Sequence, residues 1–328
     1  MDKTASATIT NICAISIAAI LGVLTRTSVN LLFGPTRTGI LSVNDILFAD
    51  LASNFLGCFV LGCHVVVKER VTIPEALALA ISTGYAGSVT TFASWNYQIV
   101  RMFSRGLWLE ALGGILVGMC LSFCAFIVGR DVGVLVLHAL RRQQHHSAAP
   151  DEQERNLPSS HGNKDVSGEG SRRKQTMITL SVVCLFLAGE SLTIVGAALD
   201  RGNPTRRAIW ASALYAPVGA TLRWRLSFFN RRMQGFPVGT FIANMIAMLY
   251  DVAIGATLIL WAGASSEARL FLNASIAGLG GSLSTVSTWV GEAFAMKKSQ
   301  RYMYVVTSIV CAQLLGIAVY GTTFWLRV

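Results

Sequence analysis

Long apolar runs alternate with short polar ones along almost the whole chain. A helix needs roughly 20 residues to cross a bilayer. Nine runs reach that length: residues 10–33, 46–67, 74–97, 107–137, 175–199, 208–229, 236–262, 268–295 and 302–325. The pattern predicts an all-α polytopic membrane protein with nine transmembrane helices. One hydrophilic stretch interrupts the rhythm. Residues 141–174 carry Ser, His, Gln, Gly and mixed charge with almost no apolar side chain, and predict a disordered linker.

The third run is itself interrupted. From Gly84 to Trp95 two glycines and a series of small hydroxyl residues stand where a membrane helix should continue. A close copy returns from Gly278 to Trp289 in the eighth run. The pairs Gly84/Gly278, Gly87/Gly281, Ser88/Ser282, Thr91/Thr285 and Trp95/Trp289 are identical. The likeness extends further: Gly22 and Arg26 match Gly219 and Arg223, and Asn54 matches Asn244. Runs one to four therefore repeat as runs six to nine. The expected organisation is a first four-helix repeat (1–140), the linker (141–174), a linking helix (175–200) and a second four-helix repeat (201–328). An odd number of crossings separates equivalent helices, so the repeats are inverted. Broken helices at matched places in inverted repeats point to a transport site.

Composition agrees with the membrane assignment. Apolar residues make up 53% and charged residues 13% of the chain, against about 25% charged in soluble domains. The net charge of +10 belongs to the loops, where Lys and Arg set topology and meet anionic headgroups. It is not read as a nucleic-acid footprint. Loop charges balance across the membrane until the linker adds Arg141, Arg142, Arg155, Lys164, Arg172, Arg173 and Lys174. That places the N-terminus and linker in the cytosol. The seven cysteines lie in apolar runs without metal-site spacing, and no catalytic constellation emerges.

The candidate chemistry gathers at the breaks. In lipid an unpaired backbone group is costly, so a break must face protein, water or an ion. Carbonyls near Gly84, Thr91, Gly278 and Thr285 suit a dehydrated monovalent cation; close helix packing is the competing explanation. Asn54 and Asn244 offer amide donors to an anion, or an interhelical hydrogen bond. Phe92, Trp95 and Trp289 lie just past the breaks, where positive ring edges can meet an anion. Ser308 and Thr307 add hydroxyls in the ninth run, where the fourth run has Leu116 and Ile115. Arg26 and Arg223 either draw anions into a vestibule or snorkel to the interface. Asp50, Glu75, Asp251 and Glu292 are the carboxylates open to proton coupling, and most fall near predicted helix ends.

Together these residues resemble the fluoride channel family, the small bacterial CrcB (Fluc) proteins and above all the eukaryotic fluoride exporters. The stretches Gly84 to Trp95 and Gly278 to Trp289 carry the likeness, with Val286 standing where the family has phenylalanine. The resemblance implies a fluoride-selective channel with passive flow across the plasma membrane, protecting the cell from fluoride. It implies a structural sodium ion on carbonyls of Gly84, Thr91, Gly278 and Thr285. It also implies pore walls from Asn244, Ser308, Phe92, Trp289, Asn54, Trp95 and Thr307, working as a monomer in the lipid bilayer. Val286 and Leu116 make the two potential pores unequal and favour the one using Asn244 and Ser308. The alternative is a coupled small-anion transporter such as a fluoride/proton antiporter, which needs a titratable group at the midplane.

Overall fold

The structure, a computed structural model, describes residues 3–147 and 166–327. Among them there is no β-strand, and long helices carry the chain. The first repeat holds α1 (Lys3–Phe33), α2 (Leu51–Arg70), a broken third helix and α6 (Trp108–Ser147). The broken helix starts as α3 (Glu75–Leu79) and widens into a π-helical stretch, Ala80–Ala86. It closes with the short α4 (Gly87–Val89) and resumes as α5 (Phe92–Ser104). The second repeat copies this plan: α8 (Pro204–Ser227), α9 (Val238–Leu260), then α10 (Ser266–Ser275), a π-helical stretch Ile276–Gly280, α11 (Gly281–Leu283) and α12 (Ser287–Ala295). It ends with α13 (Lys298–Gly316), a π-helical stretch Ile317–Gly321 and α14 (Thr322–Arg327).

Two details depart from the sequence reading. Among the described residues, eight helical segments are long and apolar enough to cross a membrane. The sixth run falls short because α8 carries Arg206, Arg207, Arg223 and Arg225. It is nonetheless a helix of the bundle, packed along α1. Helix also enters the hydrophilic stretch from both ends: α6 continues through residue 147, and the linking helix α7 (Val166–Leu199) begins well before residue 175. The remainder of the linker lies outside the described residues.

Packing interleaves the repeats. Helices α1 and α8 lie against each other, and α7 leans on both from outside. Helix α5 of the first repeat packs on α9 and α13 of the second; α12 of the second packs on α2 and α6 of the first. The main core therefore draws on both repeats, with Phe92, Trp95, Met248, Val286, Trp289 and Tyr304 buried in it. Small residues allow the close approaches. A Cβ on Gly84 would lie 2.6 Å from the Ala18 Cβ, and one on Gly278 would overlap the Ser212 carbonyl oxygen. Glycine at these two positions lets α1 and α8 close on the broken helices.

Candidate functional site

Each break is a short extended interval inside a helix. Thr90 and Thr91 are extended between α4 and α5, and Ser284 is extended after α11. Their backbone groups lose helical partners in a medium without water, so other groups must satisfy them. The two breaks do this for each other. The Thr91 and Ser284 hydroxyl oxygens are 3.2 Å apart, as are those of Thr90 and Thr285. Ser284 Oγ accepts from the Ala93 N–H at 3.1 Å. Thr90 Oγ1 accepts from the N–H groups of Val286 and Ser287, each at 3.2 Å. Residue numbers rise on one side as they fall on the other, so the breaks cross antiparallel at one junction.

The asparagines clamp this junction from the second helix of each repeat. Asn54 Oδ1 accepts from the Thr91 N–H at 2.8 Å, and its Nδ2 donates to the Thr91 carbonyl at 3.4 Å. Asn244 treats Thr285 the same way, at 2.8 and 3.3 Å. Both amides are buried. The interhelical bond thus takes the amide oxygen and one N–H. Each amide keeps a second N–H.

Arg26 and Arg223 neither line a vestibule nor snorkel. They are 2% and 4% exposed. The cause is the break, which frees carbonyls that a continuous helix would use. Arg223 Nη1 donates to Gly87 O at 2.7 Å and to Ser284 O at 2.8 Å, while its Nη2 donates to Thr83 O. A guanidinium has enough donors in one plane to reach all three. Arg26 Nη2 donates to Ala277 O, the counterpart of Thr83 in the second copy. A Cβ on Gly87 or Gly281 would overlap these guanidinium groups.

The four carbonyls named for sodium each accept a hydrogen bond and keep further acceptor capacity. The Thr91 and Thr285 carbonyls already take asparagine amides. Those of Gly84 and Gly278 take the N–H groups of Gly87 and Gly281. Two buried guanidinium groups already bring positive charge to the junction, and like charges repel strongly where the dielectric is low.

The aromatic residues form one buried cluster. Trp289 lies 5.5 Å from Phe92, 6.4 Å from Trp95, 6.2 Å from Phe123 and 6.4 Å from Tyr304, measured between ring centroids. The two indoles differ in one respect. Trp95 Nε1 donates to Gly114 O at 3.3 Å, whereas the buried Trp289 Nε1 has no protein partner. Val286 is buried beside them, and its N–H serves the junction.

Ser308 is buried and donates to Tyr304 O at 2.7 Å. Thr307 is only half-buried, so the two hydroxyls do not act as a pair. Leu116 is not the opposing wall: it is 59% exposed on the outside of α6. Gly118 lies against Trp95 instead, and Gly114 accepts the indole N–H on its carbonyl.

Glu292 and Asp50, read in the sequence only as open to proton coupling, each anchor a polar network, and that of Glu292 lies one turn from Ser308. Glu292 accepts from Asn230 Nδ2 at 2.8 Å, from Thr240 Oγ1 at 2.7 Å and from the Tyr304 hydroxyl at 2.9 Å. The first repeat has the same network with its carboxylate moved. Gln98 holds the place of Glu292 and donates at 2.7 Å to Asp50, which holds the place of Thr240; Asn30 donates to the same carboxylate at 2.6 Å. The signal was present in the repeat register, which aligns Gln98 with Glu292. Glu292 borders two cavities, one of roughly 470 Å³ beside Phe236 and Lys297, the other of roughly 540 Å³ beside Leu61, Thr83 and Thr288. Both lie at the membrane face that holds the N-terminal end of α1, where Asn11 Nδ2 donates to Glu75 at 3.3 Å.

Asp251, another carboxylate the sequence leaves open to proton coupling, stands apart from these networks. It is fully buried on α9, not near a helix end. Its Oδ1 has no partner, and the carboxylate rests against Gly280, where a Cβ would overlap it. Ser94 Oγ is 3.5 Å from its Oδ2. In the first repeat the equivalent place is held by Leu61, two turns after Asn54.

Comparison with known proteins decides the family. The model described as "CrcB-like protein, Camphor Resistance (CrcB)" matches twice, over residues 13–130 and 210–323. The chain belongs to the CrcB-like family. It contains two copies of the family unit, and they coincide with the two repeats. The Fluoride-specific ion channel FluC of Chloroflexus aurantiacus is 29% identical over 124 residues, 38% of this chain and 94% of that protein. Fluoride export proteins 1 and 2 of Schizosaccharomyces pombe are each 26% identical over 329 residues, covering 95% of both chains. No solved structure matches the chain. The CrcB-like repeats thus form an all-helical membrane protein in which two family units meet at antiparallel breaks.

Proposed function

We propose that this CrcB-like chain is a fluoride-selective channel that lets fluoride leave the cell passively through the plasma membrane and so protects against fluoride toxicity. The observation that carries this reading is the junction itself. Two duplicated breaks are held antiparallel by hydroxyls, amides and guanidinium groups, in a chain whose full-length relatives bear the name fluoride export protein. Both repeats lie in one chain, so the junction closes without a second copy and the functional unit is a monomer.

Within that reading, the anion path runs beside Trp289, Tyr304 and Ser308, with Phe92, Asn244 and Trp95 forming further wall and Asn54 holding the first break. Support comes from the free indole N–H of Trp289 and from the Ser308 hydroxyl, neither of which the first repeat reproduces. A buried N–H without a partner is costly in protein; an anion passing it supplies one. Arg26 and Arg223 contribute positive potential from behind the breaks and do not line a vestibule.

A proton-coupled exchanger needs a buried carboxylate near the breaks, and among the described residues Asp251 is the buried carboxylate with an unpartnered oxygen. Fluoride efflux from proteoliposomes carrying Asp251→Asn separates the two readings. A channel keeps efflux independent of a proton gradient in both parent and variant. Gradient-driven fluoride uptake by the parent, lost in the variant, would establish the exchanger.

A further inference from the structure

A second feature lies on the outside of the bundle. Helices α6 and α13 come from different repeats and flank a seam floored by α12. Ile115, Met119 and Phe123 form a stripe along α6; Tyr302, Val306 and Val310 form the facing stripe along α13. The spacing of four residues puts each set on one helix face. Between the stripes is a groove of roughly 500 Å³. Both helices are long and apolar enough to span the membrane, so the groove opens into hydrocarbon. An empty apolar cleft forfeits dispersion contacts along both walls, and the surrounding solvent consists of acyl chains.

One end of the groove is basic. Arg301 forms part of its lining. Its Nε donates to Ala293 O at 2.8 Å, and its Nη2 donates to the carbonyls of Phe294 and Met296 at 3.0 and 3.2 Å. These bonds fix the guanidinium while its Nη1 end takes no part in them. Lys297 and Lys298 are exposed at the start of α13 beside it. Basic groups at the mouth of a cleft between membrane helices suit an anionic lipid headgroup.

We infer that the α6–α13 seam is a binding site for an anionic phospholipid, with one acyl chain in the groove and its phosphate against Arg301, Lys297 and Lys298. The seated chain backs the aromatic cluster, because Phe123 lines the groove and its ring centroid is 6.2 Å from that of Trp289. Removing the lipid therefore loosens the wall beside Trp289. The site itself does not depend on what the protein transports.

The test reads the thermal midpoint of the full chain, without fluoride, in phosphatidylcholine vesicles with and without phosphatidylglycerol. Two variants accompany the parent: Lys297→Gln with Lys298→Gln, which removes headgroup charge, and Val306→Trp, which fills the groove from an exposed position. Phosphatidylglycerol is expected to raise the midpoint of the parent, with the shift lost in both variants. All three should share one midpoint in phosphatidylcholine alone. Inorganic phosphate added to phosphatidylcholine vesicles should produce no shift. An absent shift in the parent, an equal shift in all three proteins, or a shift with phosphate alone would overturn the proposal.

Discussion

Asn244 grips Thr285 from both ends, its Oδ1 accepting the Thr285 N–H at 2.8 Å while its Nδ2 donates to the Thr285 carbonyl at 3.3 Å. Asn54 and Thr91 repeat the grip. Alanine at either asparagine leaves a buried N–H orphaned, which costs about 1–3 kcal/mol. Both variants should therefore lose thermal stability to a similar extent. Fluoride flux per folded molecule should fall further for Asn244→Ala, whose amide forms wall of the proposed path. Equal flux losses per folded molecule would contradict the inequality of the two paths.

Ser308→Ala removes a hydroxyl bonded only to the carbonyl of its own helix. It should reduce fluoride efflux several-fold while the gel-filtration profile and thermal midpoint stay near those of the parent. Leu116→Ala alters an outward-facing side chain and should leave efflux unchanged. An effect of Leu116→Ala as large as that of Ser308→Ala would place the hydroxyl outside the path.

Trp289→Phe keeps the ring cluster and deletes the free N–H. Efflux should fall without loss of the folded state. Trp95→Phe deletes an N–H already bonded to Gly114 O, so stability should suffer more than efflux. These two variants, compared by efflux and by thermal midpoint, should show opposite rankings.

Arg223 satisfies three break carbonyls with one guanidinium. Arg223→Met strands all three, at about 1–3 kcal/mol for each buried group left unpaired, and should abolish recovery of monodisperse protein. The parent should keep its thermal midpoint when sodium is exchanged for N-methylglucamine. A sodium-dependent midpoint would show that a cation shares the junction with Arg223.

The sequence made the broad plan legible because duplication is visible without coordinates. Gly84 to Trp95 and Gly278 to Trp289 announce the breaks, and their spacing of five spans, an odd number, gives their opposite directions. What escaped were partners set by distance alone. Arg26 and Arg223 read as surface-seeking cations because a one-dimensional pattern does not reveal carbonyls freed by another helix. Leu116 read as the partner of Ser308 by counting from Gly129 and Gly321. The π-helical stretch Ile317–Gly321 lies within that interval and has no counterpart in α6. Asp251 read as one acid among several, whereas its burial depends on a glycine at position 280 that the first copy replaces with Ala86.

The central claim is that the antiparallel junction serves a passive, fluoride-selective path. Its most direct test is fluoride efflux from proteoliposomes containing the full chain, with chloride as control and with or without an imposed proton gradient. The account predicts electrogenic fluoride flux, negligible chloride flux and no response to the proton gradient. Chloride flux of similar size, or fluoride movement that follows the proton gradient, would contradict it.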